Sequence, residues 1–259
     1  MPRIGLTLAA LVSASAIAAC GSSSSGGTTT TTNTQPASTS SSSSSGSFDK
    51  TAAQAQAQSA LLTLKDLPAG WTENPSQDSQ ADDAAVNAQL ASCLGVSASI
   101  FAKSGPDKVE VNSSDFESPN NGSSGSVSEN IDIESADRID QDFAVVNSSK
   151  LPGCLQSVYS SFLKKKFAQD PQTKQAKIGT VTATRTNIPS YGDESAGLEI
   201  KVPFTISTTK AEVDLDMIFI RVGNTAAQLL FENTFKPFDT ATAASITTKA
   251  ADKLSAAAG

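Results

Sequence analysis

Two sets of side chains in the sequence have residue types and spacings that could support chemistry. Ser161 and Lys164 form a Ser-x-x-Lys pattern, in which a lysine amine can activate a serine nucleophile. Glu212, Asp214 and Asp216 recur at every second position, and hard cations such as Ca²⁺ bind carboxylate oxygens of this kind. The chain contains no histidine, which excludes Ser-His-Asp and Cys-His catalysis and His-ligated zinc or haem.

The Ser161-x-x-Lys164 pattern resembles the nucleophile motif of penicillin-binding proteins. Ser128-Glu-Asn130 and Lys103-Ser-Gly105 mimic its companion motifs. However, the three motifs follow one another in the reverse of that family's order, and the domain is smaller than theirs. Ser161 also lies beside apolar residues of a predicted amphipathic helix. We therefore predict no catalytic residue in the chain.

The three carboxylates at 212, 214 and 216 are predicted to lie on one face of a strand. A straight strand holds such residues in a line, about 7 Å apart. Coordination requires oxygens that converge on one point, and the sequence contains no Gly-rich calcium loop. We predict a solvated strand face, with no metal site and no cofactor.

Hydrophobic periodicity predicts the elements that would position these groups. Apolar residues at helical spacing predict helices over 52–64, 84–93 and 135–147, a helix that begins at Pro152, and a terminal helix capped by Asp239. Alternation predicts strands over 109–117, 126–134, 177–188, 198–206, 213–219 and 225–235, with turns at Asn121-Gly122 and Gly223-Asn224. Strands joined by tight turns form antiparallel sheets. The sequence therefore predicts a single α+β domain, residues 48–259, with an antiparallel sheet packed on one face by helices.

The first twenty residues have the layout of a secretory signal. Arg3 precedes an apolar stretch from Ile4 to Ala19, which is too short for a comfortable membrane span. Ile17-Ala18-Ala19-Cys20 resembles the bacterial lipobox, in which a branched apolar residue and two small residues precede a cysteine. The resemblance implies that residues 1–19 are cleaved as a signal peptide and that the Cys20 thiol is lipidated. We expect this anchor to hold the protein on the outward side of the cell membrane.

Residues 20–47 then consist almost wholly of Ser, Thr and Gly. Such a segment cannot bury enough apolar area to offset the entropy of ordering, so we predict a disordered tether. A flexible coil of about 27 residues has a root-mean-square length of roughly 30 Å, which would hold the domain away from the bilayer.

Three cysteines are present, and assigning Cys20 to the lipid leaves Cys93 and Cys154 as an even pair. An exported protein meets an oxidising environment, where a structural disulfide is expected. A metal site is disfavoured because two isolated sulfurs without histidine offer too few soft ligands. A redox-active pair would more often be Cys-x-x-Cys.

The segment Leu61-Leu62-x₃-Asp66-Leu-Pro-x-Gly-Trp71, the Cys93 and Cys154 pair and the final succession of paired strands and a helix resemble exported lipoproteins of the mycobacterial, or more broadly actinobacterial, type. Within that group the domain is similar to the extracellular sensor domain of a Ser/Thr kinase, or to lipoproteins of Mog1/PsbP-like fold. The resemblance implies a module that binds a ligand or a partner.

The overall charge and the apolar strand faces guide the functional prediction. A net charge of −7 argues against a nucleic-acid partner, because phosphate binding requires basic patches. We predict a non-enzymatic domain that binds a small apolar ligand or an envelope protein, with any cavity lined by Phe204, Phe219 and Phe231. Two alternatives are an envelope hydrolase with paired acidic residues and a structural envelope protein.

Overall fold

The computed structural model describes residues 48–76, 80–102, 105–119, 125–169 and 175–259, which form five α-helices and nine β-strands. The helices are α1 Lys50–Ala60, α2 Gln80–Leu94, α3 Ala136–Val146, α4 Leu151–Gln169 and α5 Thr240–Ala258. The strands are β1 Thr72–Asn74, β2 Lys108–Asn112, β3 Asp115–Glu117, β4 Gly125–Glu134, β5 Lys177–Ile178, β6 Thr182–Thr186, β7 Glu194–Ile206, β8 Thr209–Val222 and β9 Thr225–Thr234. The signal peptide, Cys20, the tether and the Asn121-Gly122 turn lie outside the described residues, and they stay predictions.

Local sequence signals explain where several elements begin and end. The Asp49 carboxylate accepts hydrogen bonds from the backbone N–H groups of Thr51 and Ala52, which caps α1. Asp239 caps α5 as predicted, accepting from the N–H of Thr242 at 2.8 Å. Gly223 has a φ of 59° and begins the predicted two-residue turn between β8 and β9.

All strand pairs within the described residues are antiparallel and belong to one sheet. The strand order is β1-β3-β4-β9-β8-β7-β5, with β2 also paired to β4 and β6 to β7. The predicted strand over 109–117 is divided at Ser113, whose hydroxyl accepts a hydrogen bond from the N–H of Glu129 on β4. The α+β class and the antiparallel sheet are confirmed.

The hydrophobic side chains form two cores on opposite faces of the sheet. One core holds α1 and α5 against β2, β4, β8 and β9, and we call this side the α1/α5 face. The other holds α2 and α4 against β6, β7, β8 and β9, and we call it the α2/α4 face. Leu229 and Leu230 are consecutive on β9, yet they belong to different cores. Successive strand residues point to opposite sides of a sheet, so both faces are covered.

This arrangement differs from the predicted cover on one face. The predicted alternation assigned Ile218 to a polar face together with Glu212, Asp214 and Asp216. In the structure Ile218 packs in the core of the α1/α5 face, where the sheet is covered by α5 and by the Ala-rich α1. The polar residues of the same strand lie toward its other end, beyond this core. One strand face is therefore apolar at one end and polar at the other.

Candidate ligand-binding pocket

A cavity of about 210 Å³ lies on the α2/α4 face, between the sheet and the helices α2, α3 and α4. One side is apolar and is formed mainly by Leu90, Val145, Leu155, Tyr159, Met217 and Phe219. The other side is polar and is formed by Lys108, Glu110, Asn130, Asp132 and Gln228. The volume is somewhat below the range of about 300–1,000 Å³ that is usual for drug-sized ligands. The arrangement fits a small molecule, or part of a larger one, with an apolar and a polar end.

The polar side of the pocket follows from the alternation of β2 and β4. Val109 and Val111 of β2 point into the core of the α1/α5 face, as do Ile131 and Ile133 of β4. The intervening residues must then point to the α2/α4 face. The strand register places Lys108 opposite Glu134 and Glu110 opposite Asp132. One lysine and three carboxylates therefore lie together on that face.

Lys108 is the centre of an ion-pair cluster at the polar side of the pocket. Its Nζ lies 2.7 Å from Glu134 Oε1, 3.1 Å from Asp132 Oδ2 and 3.8 Å from Glu110 Oε2. Burial by itself would lower the pKa of Lys108, but the three carboxylates together raise it above its usual value. Lys108 is therefore a permanently charged group with 6% of its surface exposed.

The carboxyl groups around Lys108 compete for positive charge. Arg138 Nε lies 3.5 Å from Glu134 Oε1, which gives Glu134 a second cation. Burial raises the pKa of Asp142 to about 7, and the neighbouring Glu134 contributes to this rise. Burial also raises the pKa of Asp132, although Lys108 opposes the shift. The cluster holds more acidic than basic groups, and Asp142 gains or loses its proton near neutral pH.

The disulfide fixes two helices that form the apolar side of the pocket. Cys93 of α2 and Cys154 of α4 are joined as predicted, with their Cα atoms 5.7 Å apart. Leu90 lies one turn before Cys93, and Leu155 directly follows Cys154; both line the cavity. The cross-link therefore holds α2 against α4 at the pocket itself.

The structure separates the three phenylalanines that were predicted to line a cavity together. Phe219 is half-buried and lines the pocket. Phe204 lies in the core of the α2/α4 face, where it contacts Phe167 with a ring-centroid distance of 6.5 Å. Phe231 lies in the core of the α1/α5 face, 5.1 Å from Phe238 between ring centroids. The register of β8 and β9 places Phe231 opposite Asp216, so its ring points to the side of the sheet opposite Phe219.

The Ser-x-x-Lys pattern lies on the exposed side of α4. Ser161 Oγ donates to the backbone oxygen of Ser157 at 3.0 Å, within its own helix. Ser161 and Lys164 are both exposed. Of the companion motifs, Ser128 and Asn130 lie on β4, whereas Lys103 lies outside the described residues. Nothing in these positions supports a nucleophile.

The predicted solvated face of β8 is partly buried. Asp214 has 1% of its surface exposed, and Lys201 Nζ lies 3.8 Å from its Oδ1. Burial raises the pKa of Asp214 and raises that of Asp216 to about 6. Among the described residues, no group of three or more His, Cys, Asp and Glu side chains is arranged to hold a metal ion.

Sequence reasoning missed the polar side of the pocket, although a signal was present. Lys108 and Glu110 alternate with valines in β2, and Asn130, Asp132 and Glu134 alternate with isoleucines in β4. Two adjacent strands with the same alternation place their charges on one face. The sequence does not show that a helix layer covers that face and buries the charges.

The comparisons with known proteins add little to this description. No protein-family profile matches the chain, and no curated protein sequence matches it. Among solved structures, the chain is similar to the crystal structure of LpqN, which is involved in cell envelope biogenesis of Mycobacterium tuberculosis. The identity is 6%, the alignment covers 72% of this chain and 78% of LpqN, and the TM-score is 0.27. A likeness this low bears on neither the fold nor the function.

A helix that spans a bilayer must be both long and apolar. None of the helices in the described part of the chain combines the two properties.

Proposed function

We propose that the protein is a lipid-anchored binding protein of the cell envelope, whose domain holds a small amphipathic ligand in the pocket on the α2/α4 face. The two-sided lining of the cavity carries this proposal. Apolar residues from three helices and the sheet offer burial to a hydrocarbon part. Polar residues from β2, β4 and β9 offer hydrogen bonds to a headgroup.

Access from solvent supports a binding role. Val86, Phe101 and Phe219 line the cavity and are half-buried, so they form a rim that water reaches. Leu155, Leu198 and Tyr159 are buried and form its deeper part. A ligand that enters apolar end first would leave its headgroup near the charged strands.

The paired-carboxylate hydrolase fits the same pocket less well. Glu110 and Asp132 are two acidic residues within one cavity, as that alternative requires. However, both are ion-paired to the Nζ of Lys108, at 3.8 and 3.1 Å. A general acid or base needs a carboxyl group that exchanges a proton with the substrate. The shared ammonium stabilises the charged form of both groups, which opposes proton transfer by either carboxyl group.

A titration with the neutral dye Nile red tests the proposal. The chain from residue 21 to 259 should bind the dye saturably, with a blue shift of its emission. Val86→Trp places a large ring at the half-buried rim, so we expect it to weaken binding at least tenfold. Val222→Trp is the matched control, because Val222 is a half-buried valine that packs against the core of the α1/α5 face.

Two results would contradict the proposal. One is the absence of saturable binding to the wild-type chain. The other is an equal loss of binding in both tryptophan variants, which would place the dye outside the pocket. If neither result occurs, mass spectrometry of small molecules that co-purify from a native host identifies the ligand class.

A further inference from the structure

We propose that the polar end of this pocket accepts a headgroup that donates hydrogen bonds and carries no negative charge, such as a hydroxyl or an ammonium group, and that it disfavours a carboxylate. This inference rests on the proposed function, since it specifies the ligand of the same pocket. Three features of the cluster around Lys108 support it.

The first feature is that Lys108 is already paired with three protein carboxylates. Glu134 and Asp132 lie within hydrogen-bonding distance of the Lys108 Nζ, at 2.7 and 3.1 Å. Glu110 adds an ion pair at 3.8 Å. An anionic headgroup would have to displace one of these partners and leave a buried carboxylate without its cation. Such an exchange is unfavourable at a site with little access to water.

The second feature is the balance of charge. Six ionisable side chains form the cluster, namely the carboxyl groups of Glu110, Asp132, Glu134 and Asp142 and the cations Lys108 and Arg138. Four acids against two cations leave an excess of two negative charges when all are ionised. Burial raises the pKa of Asp142 to about 7, and protonation of this acid alone still leaves an excess of one. While such an excess remains, an anionic headgroup would meet net repulsion in a medium of low dielectric constant.

The third feature is a hydrogen-bond acceptor that borders the cavity. Asp132 lines the cavity, and 21% of its side chain is exposed although its Oδ1 atom is buried. Its Oδ2 atom is paired with Lys108, and a carboxylate oxygen can accept a second hydrogen bond, here from a ligand hydroxyl or ammonium group. A carboxylate ligand has no donor to offer.

Competition among three amphiphiles of equal chain length tests the inference. Decanol, decylammonium and decanoate are each titrated against Nile red bound to the chain 21–259, at pH 7.5 and below micelle formation. We expect decanol and decylammonium to displace the dye at concentrations at least tenfold lower than decanoate. Asp132→Asn removes one negative charge with little change of shape, so decanoate should improve and the ratio should fall to about threefold or less.

Two further variants make the comparison specific. Glu110→Gln removes the same charge from the neighbouring strand, and it should shift the ratio in the same direction if Asp132→Asn does not fold. Asp252→Asn is the matched control, because Asp252 is exposed on α5, on the opposite side of the sheet. It should leave the ratio unchanged.

Each remaining outcome overturns the inference. Displacement by decanoate at concentrations equal to or lower than the others contradicts the headgroup preference while leaving the pocket itself intact. The same holds for a preference that neither Asp132→Asn nor Glu110→Gln reduces. If no amphiphile and no dye binds, both this inference and the proposed function fail.

Discussion

The backbone N–H of Leu62 donates a hydrogen bond of 2.6 Å to the carboxyl group of Glu129, which has 2% of its surface exposed. This contact ties the segment that follows α1 to the centre of β4. Burial raises the pKa of Glu129 to about 8, although the hydrogen bond from Leu62 opposes the shift. Glu232 on β9 has a pKa raised by burial to about 7. Both acids keep a proton in the folded state at pH values where the unfolded chain has lost it.

These acids predict that the domain becomes less stable as pH rises from about 4.5 to 8. In that interval the folded state binds more protons than the unfolded state, so the free energy of unfolding falls with pH. Each group contributes up to about 1.4 kcal/mol per pH unit. Urea unfolding of wild type at pH 5 and pH 8 measures the difference.

Glu129→Gln should be more stable than wild type at pH 8 by a few kcal/mol. Glu117→Gln, at an exposed position on β3, is the control and should be about as stable as wild type. A wild-type stability that rises over this interval would contradict the prediction.

Because of the disulfide, we expect two cysteines to resist alkylation and the affinity of the pocket to depend on the cross-link. Alkylation of the denatured, unreduced protein should modify neither Cys93 nor Cys154, as read by peptide mapping. Replacing both with serine should lower the free energy of unfolding by roughly 2–4 kcal/mol. It should also weaken Nile red binding, because the cross-link joins α2 to α4 beside Leu90 and Leu155. Alkylation of both cysteines without reduction would refute the pairing.

The lipid anchor stays a sequence prediction and has its own test. Cys20→Ser removes the thiol that would accept the diacylglyceryl group, so incorporation of a clickable fatty acid should be lost. Cys93→Ser serves as the matched control, since it removes a cysteine that is paired in the domain. Equal labelling of wild type and Cys20→Ser would contradict the lipoprotein assignment.

Gly197 on β7 is predicted to accept a side chain only at a cost in stability. A Cβ at this position would lie 2.3 Å from Thr186 Oγ1 and 2.8 Å from Ile188 Cγ2. Gly197→Ala should therefore destabilise the domain by about 1–3 kcal/mol, the usual cost of overpacking. A Cβ on Gly153 in α4 would meet no atom within 4 Å apart from the nearby backbone of its own helix. Gly153→Ala should instead be neutral or stabilising by up to about 1 kcal/mol, because alanine favours helix over glycine. Equal effects at the two positions, measured by thermal unfolding, would count against the close packing of β6 on β7.

Because the phenylalanines lie at different places, we expect substitution of one to change ligand binding and substitution of another to change stability. Phe219→Leu removes part of the pocket lining, so it should weaken dye binding while changing stability little. Phe204→Leu acts on a buried core side chain, so it should lower the melting temperature and leave the dye affinity of the folded protein unchanged. Binding titrations and thermal scans on both variants distinguish these effects. Loss of affinity in Phe204→Leu without loss in Phe219→Leu would place the ligand elsewhere.

The sequence by itself determined the features that depend on residue types and on spacing along the chain. Alternation located β7, β8 and β9, since side chains of a strand point alternately to its two sides. Asp239 marked the beginning of α5 because a carboxylate at that position satisfies free backbone N–H groups. The count of cysteines predicted the Cys93–Cys154 pair, once Cys20 was assigned to the predicted lipid anchor.

Only the tertiary structure decided which surfaces those elements cover. Alternation shows that Lys108 and Val109 point to opposite sides, but it does not show that helices lie over both. Coverage depends on contacts between segments far apart in sequence, such as α1 with α5 and α2 with α4. The opposite directions of Phe219 and Phe231 are instead set by the two-residue turn, which places Phe231 opposite Asp216 and Phe219 opposite Gln228. Lys108, Asp132 and Phe219 come together at one pocket because α2, α3 and α4 cover their side of the sheet.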